Sequence, residues 1–104
     1  MTKYLFVYHG GKAPADPSDI KKVMDSWGSW FGSMGSAVVD GGHPVGKSST
    51  VKSDGSLNDG GGANPASGYS LIEAASLQEA HQKASGCPIL KSGGTIEIAP
   101  TLDM

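Results

Sequence analysis

Alternation and helical spacing of apolar residues divide the chain into seven candidate elements joined by glycine-rich connections. Residues 3–9 (KYLFVYH) form a short, almost wholly apolar or aromatic run, which predicts a central strand covered on both faces. Residues 69–75 predict a second strand, and residues 95–99 alternate apolar and polar positions as a half-buried strand does. Residues 36–40 and 48–52 predict two shorter strands.

Two segments carry the signals of helices. In the first, Asp16 is placed to cap the N-terminus, and Gly35 is placed to end the helix. The second begins at Ser76, which forms a capping box with Glu79, and ends at Gly86. Apolar residues recur at helical spacing along the first helix and give one stripe: Ile20, Val23, Met24, Trp27, Phe31 and Met34.

The order of these elements, β-α-β-(short β)-β-α-β, predicts one domain over residues 1–104. It is typical of the α+β class in its ferredoxin-like βαββαβ form, with an antiparallel sheet and two helices on one face. Alternate strand residues would leave the other sheet face apolar and uncovered, and such patches mark interaction surfaces. We therefore expect a homodimer in which two sheets pack face to face as a dimeric α/β barrel.

Composition narrows the possible functions. With 38% hydrophobic and 17% charged residues, the chain is too apolar to be disordered. The net charge is −2 and no run of lysine or arginine occurs, so we expect no nucleic-acid partner. One cysteine cannot form an internal disulfide, which fits a cytoplasmic protein. The apolar N-terminal run predicts a strand rather than a secretory signal, and no run is long enough to span a membrane.

Residues 41–48 match the phosphate-loop pattern G-x-x-x-x-G-K-S. A working phosphate loop joins a strand to a helix, whose N-terminus binds the phosphates. Here the residues after Lys47 (SSTVKSDGS) are β-branched and turn-rich, and Pro44 removes one N–H group from the loop. We interpret the match as a turn between strands, and we expect no nucleotide and no other cofactor.

Histidines and aspartates at strand ends and in loops are the candidates for chemistry. No two of the three histidines have the spacing of zinc ligands, so no metal site is expected. His9 ends the first strand, His43 lies in the glycine-rich turn, and Asp40 and Asp59 occupy similar positions. A carboxylate can orient a histidine for acid–base catalysis. The hypothesis is that His43 or His9 acts as the base and Asp40 or Asp59 orients it; the alternative is that the aspartates cap turns and the histidines face solvent.

Two further residues are expected to bind a ligand. Trp27 lies on the apolar stripe of the first helix and is expected to be mostly core. Trp30 lies off the centre of that stripe, and we expect it to form the apolar wall of a pocket or to lie at the rim of the dimer. Asn64, in the glycine-rich loop, completes the predicted lining of the site.

The chain resembles the YCII-related, or DGPF-domain, family over nearly its whole length. The resemblance is carried by KYLFVYHGG, by WGSWFGSMGSAVVDGGHPVG, and by the segment from DGGGANPASGYSLIEAA to GGTIEIAP. It implies a ferredoxin-like dimeric α/β barrel with a cleft between sheet and loops, and an acid–base histidine–aspartate pair in some relatives. The D-G-P-F signature is represented here by Asp59-Gly60-Gly61-Gly62, and the histidine that some relatives carry on the first helix has no counterpart.

Two functions follow as hypotheses. The first is a small cytoplasmic homodimer that binds a small organic molecule, with or without acid–base catalysis by a histidine and an aspartate. The second is a non-catalytic binding or regulatory module. Some relatives are encoded beside, or fused to, alternative sigma factors, so the resemblance links this second hypothesis to transcription. A histidine pKa moved by an adjacent aspartate in a cleft would favour the first hypothesis.

Overall fold

A computed structural model describes residues 1–11 and 16–103 of the chain. These residues form an α+β fold with two helices and a four-stranded antiparallel sheet, as the sequence predicted. No helix in this part of the chain is long and apolar enough to cross a membrane. The elements are β1 (Thr2–His9), α1 (Pro17–Met34), β2 (Val38–Asp40), β3 (Ser49–Val51), β4 (Leu57–Asp59), β5 (Ala66–Ala74), α2 (Leu77–Ala84) and β6 (Thr95–Pro100), with short 3-10 helices at Gly35–Ala37 and Pro88–Ser92.

Helix α1 begins and ends at the residues that the sequence indicated. The Asp16 carboxylate accepts a hydrogen bond from the backbone N–H of Ser18 at 3.0 Å, which satisfies one of the free donors of the first turn. Pro17 follows at the start of the helix, where a missing N–H removes no intrahelical bond. Gly35 ends the helix with a φ of +55°, and its N–H donates to the carbonyl of Phe31.

The sheet has the strand order β2-β5-β1-β6, and all three neighbouring pairs are antiparallel. The central strand β1 pairs with β5 along one side and with β6 along the other. This arrangement is compatible with the ferredoxin-like α+β class. Strand β5 begins at Ala66, three residues before the predicted start, because the chain pairs with β1 already at His9.

One face of the sheet carries the core. Alternate side chains of β1 point to this face and are buried, as the period of two along a strand requires. Both helices pack on the same face, α1 through aromatic residues and α2 through alanines, whose small side chains allow close packing. The buried hydrophobic residues are Tyr4, Phe6, Tyr8, Trp30, Ile72, Ala74, Ala80, Ala84, Cys87 and Ile89.

The structure places Trp30, rather than Trp27, in the core. Trp30 is 6% exposed, stacks on Phe6 with a ring separation of 6.4 Å, and donates its indole N–H to the carbonyl of Lys83 at 2.8 Å. Trp27 is half-buried. The sequence pattern predicted the reverse, with Trp27 mostly in the core and Trp30 at a pocket wall or the dimer rim. Helical spacing locates an apolar stripe, but it does not show which part of the helix surface contacts the sheet. The acceptor on α2 allows Trp30 to be buried with its N–H satisfied.

The opposite face of the sheet stays in contact with solvent. Leu5 alternates with the buried residues of β1 and is 38% exposed, and Val39 at the sheet edge is 40% exposed. Val7 and Leu71 lie on the same face and are partly buried. Neither helix covers this surface, which we call the open face. Its apolar residues are Leu5, Val7, Val39 and Leu71, and the strand register places the charged residues Lys3, Glu73 and Glu97 on the same face.

Strands β3 and β4 form a separate hairpin, which we call the arm (residues 49–59). Every residue of its two strands is exposed, including the cross-strand pair Val51 and Leu57, which are 68% and 73% exposed. The sequence indicated β3 but placed β4 in a loop. The arm contributes to a radius of gyration of 14.9 Å, larger than the value of about 13 Å for a compact domain of this length.

Candidate functional site

A groove of about 880 Å³ lies between helix α1 and the glycine-rich segments that follow β1 and β2. Its volume falls in the range of about 300–1,000 Å³ that is typical of small-molecule sites. The residues that line it are Tyr8, Gly10, Gly11, Val23, Met24, Ser26, Trp27, Gly28, Phe31, Gly41, Gly42, His43, Pro44, Ser67, Gly68, Tyr69, Pro88, Ile89, Lys91 and Ser92.

One wall of the groove is aromatic. Trp27 lies edge-on to Tyr8 with ring centroids 5.0 Å apart, and its ring is 5.9 Å from that of Phe31. Edge-to-face and tilted pairs at these distances stabilise one another, so the wall is preorganised. Val23 and Met24 extend it along α1 and are exposed. Trp27 and Phe31 therefore contact both the groove and the core, whereas Val23 and Met24 face the groove alone.

The other wall is the segment from Gly41 to Val45, which runs beside β5. The N–H of Tyr69 donates to the carbonyl of His43 at 3.2 Å, and the N–H of Val45 donates to the carbonyl of Ser67 at 2.9 Å. These bonds fix the backbone of His43, and its ring lies 6.3 Å from that of Tyr69.

Gly42 makes this approach possible. Its φ is +70°, and a Cβ at this position would overlap the carbonyl oxygen of Tyr69. Its N–H donates to the carboxylate of Asp40 at 2.8 Å. Asp40 therefore stabilises the turn that carries His43, and it does so through the backbone.

Two consecutive hydrogen bonds connect Tyr8 on β1, Ser70 on β5 and Gly41 in the glycine-rich segment. The Tyr8 hydroxyl donates to Ser70 Oγ at 2.7 Å, and the Ser70 hydroxyl donates to the carbonyl of Gly41 at 2.7 Å. Burial raises the pKa of Tyr8 well above its usual range, against the opposing effect of the Ser70 hydrogen bond. Tyr8 therefore stays a neutral donor, and these hydrogen bonds position the turn that carries His43.

His9 is not among the residues that line the groove, and each of its two ring nitrogens faces an oxygen atom. Its Nδ1 is 2.9 Å from the carbonyl oxygen of Asn64, and its Nε2 is 3.0 Å from Glu97 Oε1. Burial lowers the pKa of His9, but hydrogen bonds to Glu97 and to the carbonyls of Pro65 and Asn64 outweigh burial, so this pKa is raised above its usual value. The protonated ring can donate to both oxygens, which favours a structural role.

Replacing Glu97 by glutamine is therefore expected to lower the pKa of His9, measured by NMR titration. Because the folded-state pKa is raised, the contribution of this pair to stability is full below the unfolded-state pKa of about 6.5 and is lost as pH rises through the folded-state pKa. Urea unfolding should show a larger deficit of Glu97→Gln at about pH 5.5 than at about pH 9. An unchanged His9 pKa would contradict this role for Glu97.

The aspartates proposed from the sequence as histidine partners have other neighbours. Asp59, on the arm, pairs with Lys47 at 3.0 Å, and both side chains are largely exposed. Asp40 caps Gly42. In the part of the chain that the structure describes, no hydrogen bond or ion pair joins either aspartate to a histidine. Of the expected ligand-binding residues, Asn64 contacts His9 through its backbone, and Trp30 is buried, with its edge on a separate shallow cleft.

Several groove residues were not identified from the sequence. Trp27 and Phe31 were assigned to the apolar stripe of the first helix and Tyr8 to the first strand, and Lys91 and Ser92 were not singled out at all. The available signal was that the apolar stripe continues over Val23 and Met24, which are exposed in the structure and line the groove. Glu97 was also missed, although it faces outward in a clearly alternating strand.

The phosphate-loop pattern leads into a strand. After Lys47 the chain enters β3 rather than a helix, as predicted. Pro44 makes a bridge with Gly68, and Lys47 pairs with Asp59. Over residues 1–11 and 16–103, no three histidine, cysteine, aspartate or glutamate side chains are grouped to hold a metal ion.

Comparison of the sequence with protein-family models and with curated proteins found no match. The resemblance to the YCII-related family therefore stays a prediction, and the functional argument depends on the geometry of the groove.

Proposed function

We propose that the protein binds a small, mostly apolar organic molecule in the groove between α1 and the Gly41–Val45 segment. The observation that supports this most is the aromatic wall formed by Trp27, Tyr8 and Phe31, which lines a space of drug-like volume. Apolar side chains that remain exposed to water gain free energy when a ligand covers them. A few polar groups at the margin then orient the ligand.

His43 is the one imidazole in the groove lining. We propose that it contacts the bound molecule, because backbone hydrogen bonds and the Gly42 turn hold it at the groove wall. If the protein is an enzyme, His43 is the residue through which we expect a proton to pass. His9 is a weaker candidate, since both of its ring nitrogens already face oxygen acceptors.

The groove can be tested by filling it. Gly28 and Gly32 lie four residues apart on α1, and both have open space where a Cβ would be, but only Gly28 lines the groove. We expect Gly28→Met to weaken binding of the neutral fluorophore N-phenyl-1-naphthylamine by at least about tenfold. Wild-type affinity should be on the order of 10–100 µM, given typical ligand efficiencies. Fluorescence titration measures both.

Gly32→Met is the matched control. Both substitutions replace glycine with a better helix former and should raise the free energy of unfolding by about 0.5–1 kcal/mol. Only Gly28→Met should affect the fluorophore. Equal binding by the two variants would mean that the probe binds elsewhere.

We also propose that two copies pair through the open face as a barrel-like dimer, as the family resemblance implies. The single chain exposes 6991 Å², roughly 1,500 Å² more than is typical of a monomer of its mass. A standard interface buries about 800 Å² on each partner. The exposed arm contributes to this excess as well, so the argument for the pairing is the face that the helices leave uncovered, where Leu5 and Val39 are exposed.

A further inference from the structure

The groove has a one-sided distribution of charge. The chain carries ten acidic and eight basic residues, but no aspartate or glutamate is among the described residues that line the groove. Among the described residues, Lys91 and His43 are the lining residues with basic side chains. The nearest carboxylates lie outside the lining: Asp40 accepts from the N–H of Gly42, and Asp25 lies in the adjoining cleft.

The two polar groups come from different segments. Lys91 lies on the 3-10 helix Pro88–Ser92, which precedes β6, and His43 lies beside β5 at the other side of the sheet. Lys91 is exposed and has no ion pair in residues 1–11 and 16–103. Asp25 lines the adjoining shallow cleft together with Lys91, without pairing with it. The ammonium group is therefore available to a ligand.

We propose that the ligand of the groove is an apolar, ring-bearing organic anion, such as an aromatic carboxylate or sulfonate. This rests on the proposed binding function and adds the chemical class of the ligand. The ring covers Trp27 and Phe31, and the anionic group lies near Lys91. A lysine at an exposed rim adds a modest, salt-dependent attraction, so the ring supplies most of the affinity.

Two probes with the same ring system separate these contributions. N-phenyl-1-naphthylamine is neutral, and 8-anilinonaphthalene-1-sulfonate adds a sulfonate to the same skeleton. We expect the sulfonate to bind about two- to fivefold more tightly, and Lys91→Gln to remove that advantage without changing the neutral probe. Raising the salt concentration should weaken the binding of the sulfonate probe and leave the binding of the neutral probe unchanged. Lys52→Gln, in the arm, is the matched control and should change neither affinity. Gly28→Met should weaken both probes.

The outcomes distinguish the ligand class from the binding function. If the two probes bind equally in wild type, or if Lys91→Gln weakens both alike, the anionic class is overturned while the groove remains a binding site. If neither probe binds, the proposed function itself fails. A sulfonate advantage that persists in Lys91→Gln would also overturn the assignment of the anion to Lys91.

Discussion

Replacing Gly42 by alanine is expected to destabilise the protein and to abolish binding in the groove. The φ of +70° disfavours any side chain, and the new Cβ would overlap the carbonyl oxygen of Tyr69. The backbone must therefore move, and the bond from the N–H of Tyr69 to the carbonyl of His43 would be lost with it. Strain of this kind, together with a lost backbone hydrogen bond, should cost at least about 2–3 kcal/mol in the free energy of unfolding, measured in urea.

The same loop provides a control for Gly42→Ala. Gly46 has open space where its Cβ would be and does not require a positive φ. Gly46→Ala should therefore change stability by no more than about 0.5 kcal/mol and leave fluorophore binding intact. If Gly42→Ala behaves like Gly46→Ala in both measurements, the described path of the His43 segment is incorrect.

Leu5→Lys is expected to convert a dimer into a monomer. Leu5 lies near the centre of the open face, on the central strand. A face-to-face dimer would therefore bury the new lysine of both copies. Burying unpaired charges costs several kcal/mol, which should raise the dissociation constant of the dimer at least about a hundredfold. Sedimentation velocity at micromolar concentration measures the change.

Leu90→Lys is the control for this substitution. Leu90 has nearly the same exposure, 41% against 38%, but lies on the 3-10 helix that packs beside α1 rather than on the open face. It should leave the dimer intact. A wild-type chain that sediments as a monomer at tens of micromolar would contradict the proposed pairing, and so would a dimer that survives Leu5→Lys.

The starts of both helices and the end of α1 could be predicted from the sequence because their signals are local, whereas α2 ends at Ala84, two residues before the predicted Gly86. Asp16, Pro17 and Gly35 act within one turn of their own positions, and Ser76 accepts from the N–H of Glu79 three residues away. The α+β class, with two helices and an antiparallel sheet, followed from the sequence of elements for a similar reason, since short connections leave few ways to arrange such elements.

The site could not be predicted in the same way, since it depends on contacts between distant residues. Glu97 reaches His9 because β1 and β6 are neighbours, although the two residues are 88 positions apart. Trp30 is buried because a carbonyl on α2, 53 positions away, accepts its N–H. Strand β4 was missed because Leu57, Asn58 and Asp59 have a weak strand pattern, and pairing with β3 determines their conformation.

The most direct test of the groove uses the two indole N–H signals in an NMR titration with N-phenyl-1-naphthylamine. Trp27 lines the groove. Trp30 does not, and its indole N–H donates to the carbonyl of Lys83 on α2. We predict a saturable shift of the Trp27 signal with the Trp30 signal nearly unchanged. A ligand that saturates without moving Trp27, or that moves Trp30 more than Trp27, would contradict a binding site in this groove.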